Sequence, residues 1–341
     1  MRSPLYKIRQ NGYYGFMDRR GVCVVEPQYL DVGDFFGGFA TAHLNGRLAL
    51  IDETGRLYLR TLYRAVGKFC DNLARFQKAR LWGYLDRQAR EAIPAAFDEA
   101  GDFSEGLAGV SIEGRTGWID PSGNWAIRPQ FGGGGAFRGG LAPAANQTGA
   151  WGYVDGQGQW VIAPQWNMTH PFQGEVAVVE RSGLWGLVNR LGETLVDPQF
   201  EYVKGLSAGE FFEGMALCFR QGKYGYLSQH GAIAIEPTYD FAGDFGEGLA
   251  PVEINSANGY IDASGNLAIL PQFEDAGVFS EGLAQVCVGG RWGYVNRQGN
   301  VVIKAAFESA QPFRNGLALV VANGLWRYIT PSGDTVWEEG G

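Results

Sequence analysis

The sequence is poor in the residues that carry most catalytic chemistry. Its 341 positions hold three histidines, His43, His170 and His230, and four cysteines, Cys23, Cys70, Cys218 and Cys287. The histidines share no H-x-x-H, H-x-x-E or H-x-E spacing, which argues against a zinc site. The cysteines lie far apart and form no C-x-x-C pair. They are expected to pack as small hydrophobes in a reducing compartment. The run Gly132-Gly133-Gly134-Gly135 lacks the Lys-Ser/Thr ending and the following helix of a phosphate loop. An enzyme is not expected, nor any cofactor or metal. No apolar run approaches the roughly 18–20 residues that a membrane helix requires. The N-terminus, Met1-Arg2-Ser3-Pro4-Leu5-Tyr6-Lys7, shows no apolar signal-peptide core. A cytoplasmic protein without membrane insertion is therefore expected. Basic charge is also scarce. The formal net charge is -8, the wrong sign for a nucleic-acid partner.

Glycine and aromatics are plentiful instead. There are 52 glycines, and aromatics make up 13% of the chain. Disordered chains lack such aromatics. Glycine with aromatics suits many short strands joined by tight turns. The strands announce themselves through a recurring motif: Trp82-Gly83-Tyr84-Leu85-Asp86, Trp151-Gly152-Tyr153-Val154-Asp155 and Trp292-Gly293-Tyr294-Val295-Asn296. Weaker copies centre on Gly15, Ala49, Gly117, Gly186, Gly225, Gly259 and Arg327. Successive spacings are 34, 34, 34, 35, 34, 39, 34, 34 and 34 residues, so the chain is a tandem repeat of ten units. Further positions keep the beat. An aromatic recurs at Tyr29, Tyr63, Phe97, Phe131, Trp166, Phe200, Tyr239, Phe273 and Phe307. A second follows at Phe35, Phe69, Phe103, Phe137, Phe172, Phe211, Phe245, Phe279 and Phe313.

A 34-residue period also suits helical repeats, so local chemistry must decide. Asp120-Pro121-Ser122-Gly123 and Asp262-Ala263-Ser264-Gly265 are hairpin turns: the Asp can bond its own backbone and the Gly accepts positive φ. The flanking segments are aromatic and β-branched, as strands are. A glycine inside the first of these strands makes sense if a ring or another backbone must lie against it. The preceding segment, as in Leu283-Ala284-Gln285-Val286-Cys287-Val288, alternates and is expected to form a third strand. The predicted architecture is thus all-β: one repeat domain over 1–341, made of ten three-stranded antiparallel meanders with an insertion at 204–210. A single meander is marginal, so neighbours must bury their aromatics together. The first and last segments leave every meander contiguous. We therefore expect an open, curved or superhelical array, with a closed propeller-like toroid as the alternative.

The pattern Trp-Gly-Tyr-[Ile/Val/Leu]-Asp-x-x-Gly, followed by Pro-x-[Phe/Tyr]-[Asp/Glu]-x-Ala-x-x-Phe-x-Glu-Gly-Leu-Ala-x-Val, resembles the bacterial WG (KWG) repeat. Phe273 to Val286 and Tyr239 to Val252 carry its second half well. The resemblance covers nearly the whole chain. It implies an interaction scaffold and supplies no catalytic residues. The sequence departs from it at Leu48-Ala49 and Trp326-Arg327, where the central glycine is lost, and at Gly132 to Gly135.

Functional signals are sought where the beat breaks. One break is the insertion Lys204 to Glu210, since insertions in repeat proteins map to surface loops. The other is charge. From Arg47 to Glu91 ten basic residues meet five acidic ones, a local +5 that leaves -13 for the remainder. The candidate partner-binding residues are Arg56, Arg60, Arg64, Lys68, Arg75, Lys78, Lys204 and Glu210, with Arg80 beside them. The recurring Glu105, Glu213, Glu247 and Glu281 are expected to be a row of exposed acids. The expected partner is another protein, and a toxin or effector held by an immunity protein or chaperone would suit. The alternative is a carbohydrate or cell-envelope module, which would need Trp118, Trp125, Trp160 or Trp166 exposed in a groove.

Overall fold

A computed structural model describes residues 4–44, 47–58, 63–203 and 211–341. The described residues form strands and no helix, in ten antiparallel sheets, nine of four strands and one of three. They divide into two compact units. One holds the first sheet and the last four, from Met1–Gln28 and Phe211–Gly341 with Glu201–Lys204. The other, Tyr29–Phe200, holds the second to sixth sheets.

The fourth sheet shows how a repeat folds. Its strands are Glu99–Ala100, Ala108–Ile112, Arg115–Ile119 and Trp125–Phe131, paired in that order. Three of these are the expected meander. The added strand is a correction to the three-stranded expectation. It arises from the supposed linker, where Glu99 and Ala100 pair with Ser111 and Val110. A two-residue strand is too short to show alternation. Packing and a tight turn hold it instead. Ser104 and Leu107 exchange backbone hydrogen bonds of 2.9 and 3.1 Å across Glu105 and Gly106, both at positive φ. Four strands in meander order match the number in a propeller blade.

The Trp-Gly motif owes its glycine to a close approach of backbone. A Cβ on Gly152 would lie 2.4 Å from the carbonyl oxygen of Ile162 and 2.8 Å from the nitrogen of Pro164. Tyr153 pairs with Ile162, while Trp151 pairs with Trp166, so the outer strand bulges over the glycine. Gly117, Gly186, Gly225 and Gly259 meet the same obstacle. Where arginine replaces the glycine in the last sheet, the bulge over that position is lost, and the register shift between Tyr328 and Ile329 remains. Arg327 pairs directly with Glu338, at 3.0 Å between Nε and Oε2. In the sheet of Ala49, the described part of the outer strand pairs Leu57 with Ile51 and Tyr58 with Leu50.

The core is built by the residue after that glycine, not by the motif tryptophan. Tyr84, Tyr153, Tyr260 and Tyr294 are fully buried, whereas Trp82, Trp151 and Trp292 are half-buried. Each buried ring removes about 150–250 Å² from water, worth several kcal/mol at roughly 25 cal/mol/Å². The hydroxyl of each tyrosine then donates to a carbonyl 17 positions on: Tyr84 to Gly101, Tyr153 to His170, Tyr226 to Gly243, Tyr260 to Gly277 and Tyr294 to Gln311, all at 2.7–2.8 Å. One phenol thereby fills the core and ties a sheet to the short strand of the next. In the fourth sheet Trp118 takes this role, its Nε1 donating to Gly135 at 3.0 Å. The larger indole explains the glycine run. A Cβ at Gly134 would be 2.6 Å from Trp118, at Gly133 3.0 Å from Trp151, and at Gly135 3.0 Å from Pro143.

The open-array expectation is also corrected, within the unit that holds both termini. The first sheet packs on the last: Tyr6, Ile8 and Met17 share a core with Leu317 and Tyr328. Tyr328 donates its hydroxyl to the carbonyl of Lys7 at 2.9 Å, and Tyr6 donates to that of Asn315 at 2.7 Å. An open array would leave these surfaces to solvent. The contiguity of each meander had favoured openness, but side-chain packing joins the ends without any exchange of strands.

Candidate functional site

Most of the polar side chains that recur with the repeat are occupied in joining neighbouring sheets. The carboxylate of Glu105 accepts the backbone N–H groups of Gly139 and Gly140 at 2.6 and 2.8 Å. Glu213 accepts those of Glu247 and Gly248, each at 2.7 Å. Glu247 binds Gly282 and Glu281 binds Gly316. Glu105, Glu213 and Glu281 are exposed, as expected, and the four acids also form a ladder of staples, each capping the turn of the next sheet. An arginine ladder answers it: Arg87 donates to the carbonyl of Gly37, and Arg190 to that of Gly139. Among the described residues, no group of three or more His, Cys, Asp and Glu could hold a metal ion.

Two features remain unused by this framework. The first is a cavity of about 1420 Å³ in the unit formed by Tyr29–Phe200. Short strands and their turns line it. Its charged side chains are Asp34, Lys68, Arg75, Asp98, Glu99, Asp102 and Arg138. Phe36, Phe69 and Trp151 add apolar surface, and Gly132 to Gly135 form part of the wall. Arg75 is committed: Nε lies 3.0 Å from Asp102 Oδ1, and Nη1 donates to the carbonyl of Ala100 at 2.9 Å. Lys68 lies 4.4 Å from the ring centre of Phe36. Asp98 accepts the N–H of Glu113 at 2.8 Å.

The second feature lies in the other unit, at the end of the seventh and eighth sheets. Tyr202 and Phe219 are cross-strand partners. Phe219 and Tyr224 have ring centres 4.8 Å apart, and Tyr224 and Phe241 5.8 Å. Tyr202 and Phe241 are exposed by 41% and 44%.

The candidate residues from the sequence are scattered. Lys68 and Arg75 meet at the cavity. Arg56 is exposed, 5.2 Å over the ring of Tyr58. Arg64 and Arg80 are exposed. Lys78 pairs with Glu91 at 3.0 Å. Arg60, Lys204, Glu210 and the rest of the insertion lie outside the described residues. The four tryptophans considered for a sugar groove divide. Trp118 and Trp166 are buried. Trp125 packs edge-on against Phe97, and Trp160 against Phe131. Sequence reasoning missed Asp34, Asp98, Glu99, Asp102, Arg138 and the aromatic row. The row did leave a signal. At the first position of the short strand, Asp31, Glu99 and Asp275 are polar, whereas Tyr202 and Phe241 are aromatic.

Buried titratable groups elsewhere are shifted by desolvation. His170 is held down to about 4 by burial, with its ring 5.4 Å from that of Trp185. Burial pushes the Cys218 thiol up to about 12. Cys218 and Cys287 are buried as expected, but Cys23 is exposed and Cys70 half-buried.

The WG containing repeat matches residues 14–47, 82–115, 117–146, 151–185, 185–218, 224–256, 259–292 and 292–326. These segments span well over half of the chain, which therefore belongs to the WG β-repeat family. The unmatched stretch 48–81 holds Ala49. No curated protein matches the chain by sequence. Among solved structures, a eukaryotic initiation factor is similar over 86% of this chain and 93% of its own, with 11% identity and a TM-score of 0.51. BamB from Moraxella catarrhalis aligns over 79% of this chain and 94% of its own, with 11% identity and a TM-score of 0.38. The first of these likenesses is one of fold alone.

Proposed function

We propose that the chain is a non-catalytic scaffold that binds another protein in the cytoplasm. In its most specific form it is an inhibitor, such as an immunity protein, or a chaperone for a toxin or effector. The cavity between Asp34 and Trp151 carries this reading. At about 1420 Å³ it exceeds the roughly 300–1,000 Å³ of small-molecule sites. Its lining mixes both signs of charge with phenylalanine and tryptophan, which suits a segment of a folded partner better than a polyanion or a single metabolite. Lys68 and Arg138 stand at the cavity, and Arg56, Arg64 and Lys78 steer an acidic partner from outside it.

The test is capture of the native partner by the full chain, followed by association kinetics with a Lys68→Glu, Arg138→Glu double variant. Association should slow by about tenfold, and more at low salt than at high, because exposed charges are screened within about 8–10 Å at physiological ionic strength. A partner that binds parent and variant at the same rate would reject the cavity as the site.

A further inference from the structure

We propose that the aromatic row Tyr202–Phe219–Tyr224–Phe241 is a docking surface for a proline-rich, extended segment of a partner protein that carries a Lys or Arg beside its prolines. The proposal rests on the protein-binding reading above and names the chemistry of one partner segment.

The row is a local departure from the repeat. The equivalent residues three repeats earlier, in the fourth sheet and at the start of the fifth, are Glu99, Ser111, Thr116 and Gly133, with Glu99, Ser111 and Thr116 paired in the same way. Tyr202, Phe219 and Phe241 thus stand where that repeat has small or polar residues, while Tyr224 holds the motif's aromatic position, as Trp82, Trp151 and Trp292 do. Packing does not account for the exposed pair, since Tyr202 and Phe241 keep 41% and 44% of their surface. Clustered exposed apolar surface of this kind marks an interaction site. The insertion at 204–210 follows Val203 directly in the sequence, so the break in length and the break in composition coincide.

Ring geometry selects the occupant. Phe219 and Tyr224 are inclined at 53°, and Tyr224 and Phe241 at 63°. Mutually tilted rings make ridges with clefts between them. A sugar stacks on one open ring face, whereas pyrrolidine rings wedge into clefts between aromatic side chains. The ring-to-ring steps, 4.8 and 5.8 Å, each correspond to a rise of between one and two residues of a polyproline helix, about 3.1 Å per residue. Such a helix is largely formed before binding, so it loses little entropy on docking.

Charge sets the flank. Lys223 pairs with Asp240, and Arg220 with Glu236 at 3.0 Å. Glu201 accepts the N–H of Gln221 at 2.9 Å. Glu253 lies directly across from Phe241, and among the described residues its carboxylate has no partner. An aromatic ring and a carboxylate opposite one another on one sheet face receive a proline and the basic residue next to it.

The experiment is fluorescence anisotropy with the full chain and labelled synthetic peptides. One peptide repeats proline with flanking arginine, one has glycine and serine for proline, and one has glutamate for arginine. An unlabelled neutral gluco-oligosaccharide serves as competitor. Saturable binding is expected for the proline–arginine peptide alone. Phe241→Ala and Tyr202→Ala should each weaken it about tenfold or more. Glu253→Gln should weaken it several-fold and reduce the preference for arginine over glutamate. Leu191→Ala, at an exposed position in the other unit, should bind as the parent does. Circular dichroism and melting curves matching the parent show that each variant is folded. Binding without dependence on proline, binding unchanged in Phe241→Ala, or displacement by the oligosaccharide would each overturn the proposal. The partner capture described above can still succeed in those cases, so the two readings fail separately.

Discussion

Arg9 and Glu339, 330 positions apart, hold each other through two parallel hydrogen bonds of 2.8 Å, Nε to Oε1 and Nη2 to Oε2. Glu339 also accepts the N–H of Trp326 at 3.2 Å, and the Arg9 guanidinium lies 4.9 Å over the indole of Trp326. The pair clasps the first sheet to the last. The pair is bidentate, and its partners come from opposite ends of the described chain.

Removing one partner should show that the clasp stabilises the fold. Glu339→Ala should lower stability by about 1–2 kcal/mol, since a charge-assisted, bidentate bond is lost. Adding Arg9→Ala should cost less than the two single effects combined. Arg9 holds the Glu339 carboxyl below the usual range. Its contribution is therefore complete above the ordinary glutamate value and is lost as pH falls through the lowered one. Urea midpoints of the four proteins across pH 3–7 check both points. Equal midpoints would mean that the ends are held by the apolar contacts alone.

The bulge over the central glycine predicts a sharp contrast between two glycine-to-alanine changes in the same sheet. Gly152→Ala places a Cβ against the backbone of Ile162 and Pro164, which cannot yield without disturbing the strand. A loss of about 3 kcal/mol or more is expected, in the range of severe overpacking. Gly156→Ala meets nothing within 4 Å and should stay within about 0.5 kcal/mol of the parent. Similar losses for the two would show that the close approach is not what demands glycine.

Trp118 and Gly134 should behave as one unit. A Cβ at Gly134 would overlap Trp118 Cζ2 at 2.6 Å. Other sheets use tyrosine with alanine at these places, as in Tyr84 with Ala100 and Tyr260 with Ala276. Gly134→Ala alone should be strongly destabilising, and Trp118→Tyr alone should cost the volume it vacates. Together they should recover about 1 kcal/mol or more of the combined loss, a coupling typical of side chains in contact. Additive costs in a double-mutant cycle would refute the exchange.

His170 should make the protein sensitive to mild acid. Its folded value is near 4 because burial disfavours the imidazolium, against an ordinary value of about 6.5. The unfolded chain therefore binds the proton first. Stability should fall as pH drops from about 6.5 towards 4, by on the order of 2 kcal/mol. His170→Gln should flatten that part of the profile. The main-chain bonds of His170, from its N–H to Val178 and from Tyr153 to its carbonyl, do not depend on the ring. A histidine-independent slope between pH 6.5 and 4 would place the acid sensitivity elsewhere.

The sequence alone determined the repeat, its period, its all-β character and its turns. These follow from local chemistry: Asp and Gly at fixed turn offsets, β-branched and aromatic flanks, and one glycine that had to lie against something. Tertiary structure decided the rest. The short strand Glu99–Ala100 has no period of its own and exists because Tyr84 fastens the carbonyl of Gly101. Glu105 and Glu213 are exposed as their sequence suggests, but a sequence does not show that the next turn offers each of them two N–H groups. The joining of first and last sheets rests on Arg9, Tyr6 and Tyr328, whose partners lie more than 300 positions away. The basic segment was legible as charge but not as a site. Strand direction sends Lys68 and Arg75 to the cavity and Lys78 to Glu91. Neighbours in sequence thus meet different surfaces, because successive residues along a strand face opposite sides.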